Sequence, residues 1–219
     1  MKSSSPHDRP LLVLDLDETL MYATMFQLEQ PPDFRIGLAN VVKRPGVEPF
    51  LAACLDLFHV GIWTSATAEY AEDALSHLLS EASEKLVFIR TRQHCAQVFD
   101  PQTQERYWHK DLGQLLNDGY DPRAIIVVDD TPESWTPYED NVVPVTKYRG
   151  DPRDAELGLL LRYLIRLSRA ADVRAVDKRR GLSLLRPSSE LPLPTENSPS
   201  REKFFVNAQS DLEIFELRI

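Results

Sequence analysis

Three short stretches carry the residues best suited to chemistry: Asp15-Leu16-Asp17-Glu18-Thr19, Thr64-Ser65 and Asp129-Asp130-Thr131. Each follows an apolar run, at 11–14, 60–63 and 124–128. In an open parallel sheet, ligands bind beyond the carboxyl ends of the strands. Three strands would therefore deliver carboxylates and hydroxyls to one edge. Asp15, Asp17, Asp129 and Asp130 gathered there would repel one another unless a cation joined them. Oxygen-only ligands favour a hard ion, and Mg²⁺ held by one or two carboxylates with water and phosphate is the expected case. Such an ion neutralises charge on a transferring phosphoryl group. With a kink after the first strand, Asp15 and Asp17 can both enter the site, one attacking and one handling protons. Lys110, in His109-Lys110-Asp111-Leu112, is the candidate counter-charge for Asp15 and a phosphate.

Plainer readings stand beside these. An isolated Asp-x-Asp after a strand is more often a helix N-cap and turn; the Asp-Asp pair ending a second strand, with a lysine between, reverses that balance. Thr64-Ser65 could cap a helix starting near Ala68, which is compatible with phosphate binding because a helix N-terminus attracts anions. Arg44 and Pro45 are expected to start the next helix and position the chain, with direct substrate contact as the alternative. His94 and Cys95 have no second Cys/His cluster and read as structural. Cys54 lies on an apolar helix face and reads as core.

The elements that must position these residues are legible from periodicity. Runs at 11–14, 60–63, 86–89 and 124–128 are short and continuously apolar, the mark of buried parallel strands. Between them, 47–58 places Phe50, Leu51, Cys54, Leu55 and Phe58 on one helical face. Residues 68–79 do the same with Tyr70, Ala71, Ala74, Leu75, Leu78 and Leu79. A third helix is expected at 112–117 and a long amphipathic one at 154–170. This alternation implies an α/β fold with a mostly parallel sheet. Two segments interrupt it: 22–43, a hairpin or flap around Pro31-Pro32, and 95–107, a loop or short hairpin. Residues 1–10 are expected to be disordered. From 173 onward the chain reads as a C-terminal extension: Lys178-Arg179-Arg180 as a solvated helix end, 180–202 as a Pro-rich linker, and 203–219 as a docking segment.

Composition sets bounds. The chain has 219 residues, 42% hydrophobic and 27% charged, an ordinary soluble balance able to bury a core. No apolar stretch approaches the roughly 18 to 20 residues of a membrane span, and the polar N-terminus carries no secretory h-region. The two cysteines are expected to be reduced thiols in a cytosolic-type compartment, nuclear if the host is eukaryotic. A net charge of −9 argues against direct nucleic-acid binding. Nothing in the sequence sets the oligomeric state.

Asp15-Leu16-Asp17-Glu18-Thr19-Leu20 resembles the signature of the haloacid dehalogenase superfamily, in its aspartyl-phosphate phosphatase branch. Lys43-Arg44-Pro45-Gly46, Trp63-Thr64-Ser65-Ala66, Lys110-Asp111-Leu112, Val128-Asp129-Asp130-Thr131-Pro132 and Asn141-Val142-Val143-Pro144-Val145 follow in order. Together, over 11–167, they resemble the FCP/SCP-type small C-terminal-domain phosphatases, also called NLI-interacting-factor-like. The resemblance implies a Rossmann-like three-layer parallel sheet over 11–172, with small β-hairpin or flap insertions and no large cap. It implies that Asp15 attacks phosphorus to form a phospho-aspartate. Asp17 would protonate the leaving alkoxide and then activate water. Mg²⁺ would be held by the Asp15 side chain, the Asp17 backbone carbonyl and the Asp130 side chain, with Asp129 beside it or acting through water. Thr64, with Ser65, would bind phosphate oxygens; Lys110 would steady the intermediate; Arg92 would be an additional phosphate-facing arginine. Two departures are visible: the Arg92-to-Lys110 stretch is longer than in the small eukaryotic members, and Trp-Thr-Ser-Ala replaces the common Trp-Thr-Ala-Ser. The implied activity is a protein serine/threonine phosphatase acting on a phosphorylated protein or peptide. A small-molecule phosphatase and a non-catalytic interaction module are the alternatives.

Overall fold

The computed structural model describes residues 9–28, 30–101 and 104–178; the expected linker and docking segment, Arg179-Arg180 and residues 1–8 lie outside them. Along the chain come β1 (Leu11–Leu14), β2 (Met21–Thr24), β3 (Phe34–Ile36), β4 (Ala39–Lys43), α1 (Val47–Leu57), β5 (His59–Trp63), α2 (Ala68–Leu79), β6 (Phe88–Arg90), β7 (Ala96–Asp100), β8 (Glu105–His109), α3 (Gly113–Asn117), β9 (Ile125–Asp129), β10 (Val142–Pro144) and α4 (Glu156–Leu167). Five strands form the central sheet in the order β10-β9-β1-β5-β6, all parallel. The 22–43 segment is a three-stranded antiparallel sheet, β2-β4-β3, and 95–107 is largely the β7–β8 hairpin. The three-layer α/β expectation is met, with no large cap among the described residues.

The unbroken apolar run of β1 follows from burial on both faces. Leu12 and Leu14, with Ile62 and Val128, join the larger core formed with α1, α2 and α4. Leu11 and Val13, with Ile125 and Val127, join a second core closed by Leu112, Leu115 and Trp135. Successive side chains alternate between faces, so a central strand covered twice needs an apolar residue at every position.

Three local expectations are corrected. The 86–89 run is not a buried strand: pairing begins at Phe88, β6 is the edge of the sheet, and Val87 and Ile89 are 42% and 38% exposed. Arg44 and Pro45 do not start a helix. Gly46 at φ 80 is the left-handed N-cap residue, and α1 begins only at Val47. Lys178 is not a solvated helix end; it is buried and its ammonium donates to the carbonyls of Val173 and Val176. Arg9 and Pro10 are tied to the fold, Arg9 donating to the carbonyl of Asp56 at 3.0 Å and Pro10 accepting from His59 N–H at 3.1 Å.

Gly61 marks a close approach within the sheet. A Cβ there would lie 2.3 Å from Cζ of Phe88, its partner on β6. Gly61→Ala is expected to cost about 1–3 kcal/mol by overpacking, measured as a drop in urea unfolding free energy. Phe88→Leu in the same background should recover part of the loss.

Candidate active site

Register builds the site. Leu14 pairs with Ile62 on one side and with Val128 on the other, so the next residues, Asp15, Trp63 and Asp129, stand level at the carboxyl edge. Asp15 N–H extends the ladder by donating to the Val128 carbonyl at 3.0 Å. The chain then turns sharply: the Leu16 carbonyl accepts from Leu20 N–H at 2.8 Å, and Glu18 takes a left-handed φ of 59. That conformation is rare for a residue with a Cβ. Tyr148 N–H donates to the Glu18 carbonyl at 2.7 Å, which ties the turn to the loop after β10.

Lys110 joins two of the strands. It follows β8, is buried, and its Nζ donates to Asp15 Oδ1 and to Asp129 Oδ2, both at 2.7 Å. The Lys110 N–H donates to the Ser134 carbonyl at 2.7 Å, which fixes the residue to the turn after Asp130. Asp129 Oδ2 also accepts from Trp135 Nε1 at 2.8 Å, and its Oδ1 from Thr131 N–H at 2.8 Å. Asp130 Oδ1 accepts from Thr19 Oγ1 at 3.1 Å and its Oδ2 from Thr131 Oγ1 at 2.9 Å. Lys147 Nζ lies 3.3 Å from Asp130 Oδ2 and 3.4 Å from Glu18 Oε2.

Burial pulls the Lys110 ammonium pKa down, but Asp129 and Asp15 outweigh it and hold it above its ordinary value. Lys110 therefore stays charged. Burial pushes the Asp15 carboxyl well above the carboxylate range; Lys110 opposes this, while Asp129 and Asp130 add to it. A cation at this edge would act in the same sense as Lys110 and favour the ionised form. The donor set suits one: oxygens of Asp15, Asp129 and Asp130 all lie within 4.8 Å of one another, and hard divalent ions take such all-oxygen sites.

The side chain of Asp17 is not in that cluster. Its Oδ1 accepts from Tyr70 OH on α2 at 2.6 Å. Burial pushes its carboxyl up to about 6, against the Tyr70 hydrogen bond. Thr64 follows β5, is buried, and its Oγ1 accepts from Ala66 N–H at 3.1 Å. The hydroxyl proton is then the donor it can offer an anion. Ser65 stands half-buried beside it, and its carbonyl accepts from Arg92 Nε at 2.9 Å. Arg92 is thus brought to the Thr64 loop, with its guanidinium 5.4 Å over the Trp108 ring on β8. All eight residues singled out from sequence lie at or beside one sheet edge.

The helix cap was misplaced. Thr67, not Thr64 or Ser65, caps α2 by accepting from Tyr70 N–H at 3.3 Å. His94 and Cys95 are structural as expected: His94 Nδ1 accepts from Thr91 N–H at 3.1 Å, and Cys95 Sγ donates to the Thr64 carbonyl at 3.7 Å. Tyr70, Trp135 and Lys147 were missed, and Thr19, although part of the first motif, was given no role.

A family model described as NLI interacting factor-like phosphatase matches residues 10–174. The chain is 32% identical over 173 residues to a probable C-terminal domain small phosphatase of Dictyostelium discoideum, a match covering 75% of this chain and 53% of that protein. It is 34% identical over 179 residues to carboxy-terminal domain RNA polymerase II polypeptide A small phosphatase 1 of Homo sapiens, covering 77% of this chain and 63% of the human protein. The chain therefore spans less than two-thirds of either relative. Among solved structures, Fcp1, an essential RNA polymerase II CTD phosphatase, aligns with a TM-score of 0.47 at 18% identity, covering 81% of this chain and 61% of that one.

Proposed function

The chain belongs to the NLI interacting factor-like phosphatase family, and from that premise we propose that it hydrolyses phosphomonoesters of proteins, with Asp15 carrying the phosphoryl group. The observation that supports this best is Lys110, buried at 2.7 Å from both Asp15 and Asp129. A fixed cation against the carboxylate that would attack is electrostatic preorganisation for a negatively charged group arriving there.

In this reading an Asp15 oxygen attacks phosphorus as the ester P–O bond breaks, and Asp17 gives its proton to the departing alkoxide. Asp17, now ionised, takes a proton from the water that cleaves the acyl phosphate, and inorganic phosphate leaves. Thr64 Oγ1 and the Arg92 guanidinium receive phosphate oxygens, with Ser65 beside them. The side chains of Asp15 and Asp130 and the Asp17 carbonyl would hold Mg²⁺, which when bound neutralises charge on the transferring group. Asp129 fixes Lys110 and would stand beside the ion or act on it through water.

A phosphoserine or phosphothreonine protein is the favoured substrate. Among the described residues the insertion between β1 and α1 is the small β2-β4-β3 sheet rather than a large cap, which favours a substrate as large as a peptide chain. The relatives' names point to phosphoproteins as well. The test is phosphate release from phosphopeptides and from a panel of sugar and nucleotide phosphates, with Mg²⁺ and then with excess EDTA. EDTA is expected to lower the rate by about a hundredfold or more, restored by Mg²⁺, and the phosphopeptides to have the higher kcat/KM. A metabolite preferred over every peptide would overturn the protein-substrate reading. No release from any substrate would favour the interaction module.

A further inference from the structure

The Asp17 carboxyl differs from its three acidic neighbours. Asp15, Asp129 and Asp130 converge, whereas Asp17 turns one oxygen to a phenol on another element. Tyr70 is itself held twice in that place. Its N–H is pinned by the Thr67 cap at the start of α2, and its ring packs against the larger core. The Tyr70 hydroxyl donates to Asp17 Oδ1 at 2.6 Å, a short contact to a group that carries charge when ionised. With Oδ1 engaged by Tyr70, Oδ2 is the oxygen that accepts no hydrogen bond among the described residues.

We propose that Tyr70 is a positioning residue for proton transfer, its hydroxyl holding Asp17 Oδ1 so that Oδ2 carries the proton to the leaving oxygen. The inference rests on the reading of Asp17 as acid and base given above. As the ester bond breaks, the proton passes from Oδ2 to the departing oxygen and Asp17 becomes a carboxylate. The Tyr70 proton stays on the phenol, and its hydrogen bond strengthens because the acceptor has gained charge. The stabilisation is larger in the transition state than in the ground state, which is what accelerates a step.

A tyrosine that only packed α2 against the loop would affect all substrates alike. A tyrosine that serves proton donation matters only where the leaving group needs a proton. The experiment measures kcat/KM, which reports the first chemical step rather than hydrolysis of the intermediate, for a phosphoserine peptide, phenyl phosphate and p-nitrophenyl phosphate. Full-length wild type and Tyr70→Phe are compared with Mg²⁺ saturating. Tyr70→Phe is expected to lose about tenfold on the phosphoserine peptide, less on phenyl phosphate, and under about twofold on p-nitrophenyl phosphate, whose anion leaves without help. Retained p-nitrophenyl phosphate turnover also shows that the variant is folded. Equal loss on all three substrates, or no loss on any, overturns the proposal. Asp17→Asn, run alongside, should show the same trend more steeply. A flat profile for Asp17→Asn would sink the acid–base reading itself, whatever Tyr70→Phe does.

Discussion

Asp15→Asn is expected to lower kcat/KM for every phosphomonoester by at least about a thousandfold, while the protein stays folded. An amide has no charge with which to attack phosphorus, so the route through an acyl phosphate is closed. The fold should tolerate the change because asparagine fills the same space and its carbonyl can still accept from Lys110 at the 2.7 Å contact. Lys110 also keeps its second carboxylate, Asp129, at 2.7 Å. Removing one buried negative charge further relieves the repulsion that Asp129 and Asp130 impose on Asp15. Unfolding free energy should therefore shift by no more than about 1 kcal/mol. Rapid quench should show a hydroxylamine-sensitive phosphoryl label on wild type and none on Asp15→Asn. A variant retaining about a tenth of wild-type turnover, or one labelled as well as wild type, would remove Asp15 from the nucleophile's place.

The convergence of Asp15, Asp129 and Asp130 was legible in the sequence for a geometric reason, whereas Lys110, which follows the separate β7-β8 hairpin, was reached only as the counter-charge they require. Parallel strands in register end at one edge, and an acidic pair after a buried apolar run can only lie there. Strands with both faces covered announce themselves, as 11–14 and 124–128 do. Edge strands do not: β6 takes in Arg90, whose guanidinium lies 4.6 Å over Trp63, and it leaves out the apolar Leu86 and Val87. β10 is three residues ending in proline and offers no periodicity.

Residues that hold the site, rather than act in it, were harder to see. Tyr70 was counted as part of the apolar face of α2, which its ring is; helical spacing cannot reveal that its hydroxyl ends on Asp17. Trp135 follows a proline turn, and nothing local marks its Nε1 as a donor to Asp129. Thr67 was readable as a cap, since it directly precedes the helix, but the two hydroxyls before it competed for the same role. Lys178 showed how a basic run misleads: it was taken as part of a solvated helix end, yet it is buried and its ammonium donates to the carbonyls of Val173 and Val176.

Arg44→Met is expected to be the most destabilising single change, costing about 3–5 kcal/mol of unfolding free energy. Arg44 is 0% exposed. Its Nε and Nη2 donate to the two oxygens of Asp154 at 2.9 and 2.8 Å. Its Nη1 donates to the Thr19 carbonyl at 3.0 Å, and Nη2 also to the Thr146 carbonyl at 2.9 Å. One guanidinium thus ties together the nucleophile loop, the chain leaving β10 and the approach to α4. Methionine fills the volume but takes the cation from the Asp154 carboxylate, which keeps the Glu156 N–H at 2.9 Å, and one donor from each of two carbonyls. Acceptors left short of partners in a poorly solvated place cost more than the bonds contributed. Arg44→Lys should recover little, because a point ammonium cannot span acceptors set for a planar fork. The loss should reach the chemistry through Thr19, whose hydroxyl holds Asp130 at 3.1 Å. A loosened Thr19 should weaken Mg²⁺ binding several-fold, read by calorimetry at a temperature where the variant is folded. The decisive measurement is a double-mutant cycle. Asp154→Leu in the Arg44→Met background should restore a large part of the stability, since an apolar pair of similar volume removes the stranded charge. An Arg44→Met loss below about 1 kcal/mol, or a double variant no better than the single, would show that the three segments are held together by something other than this side chain.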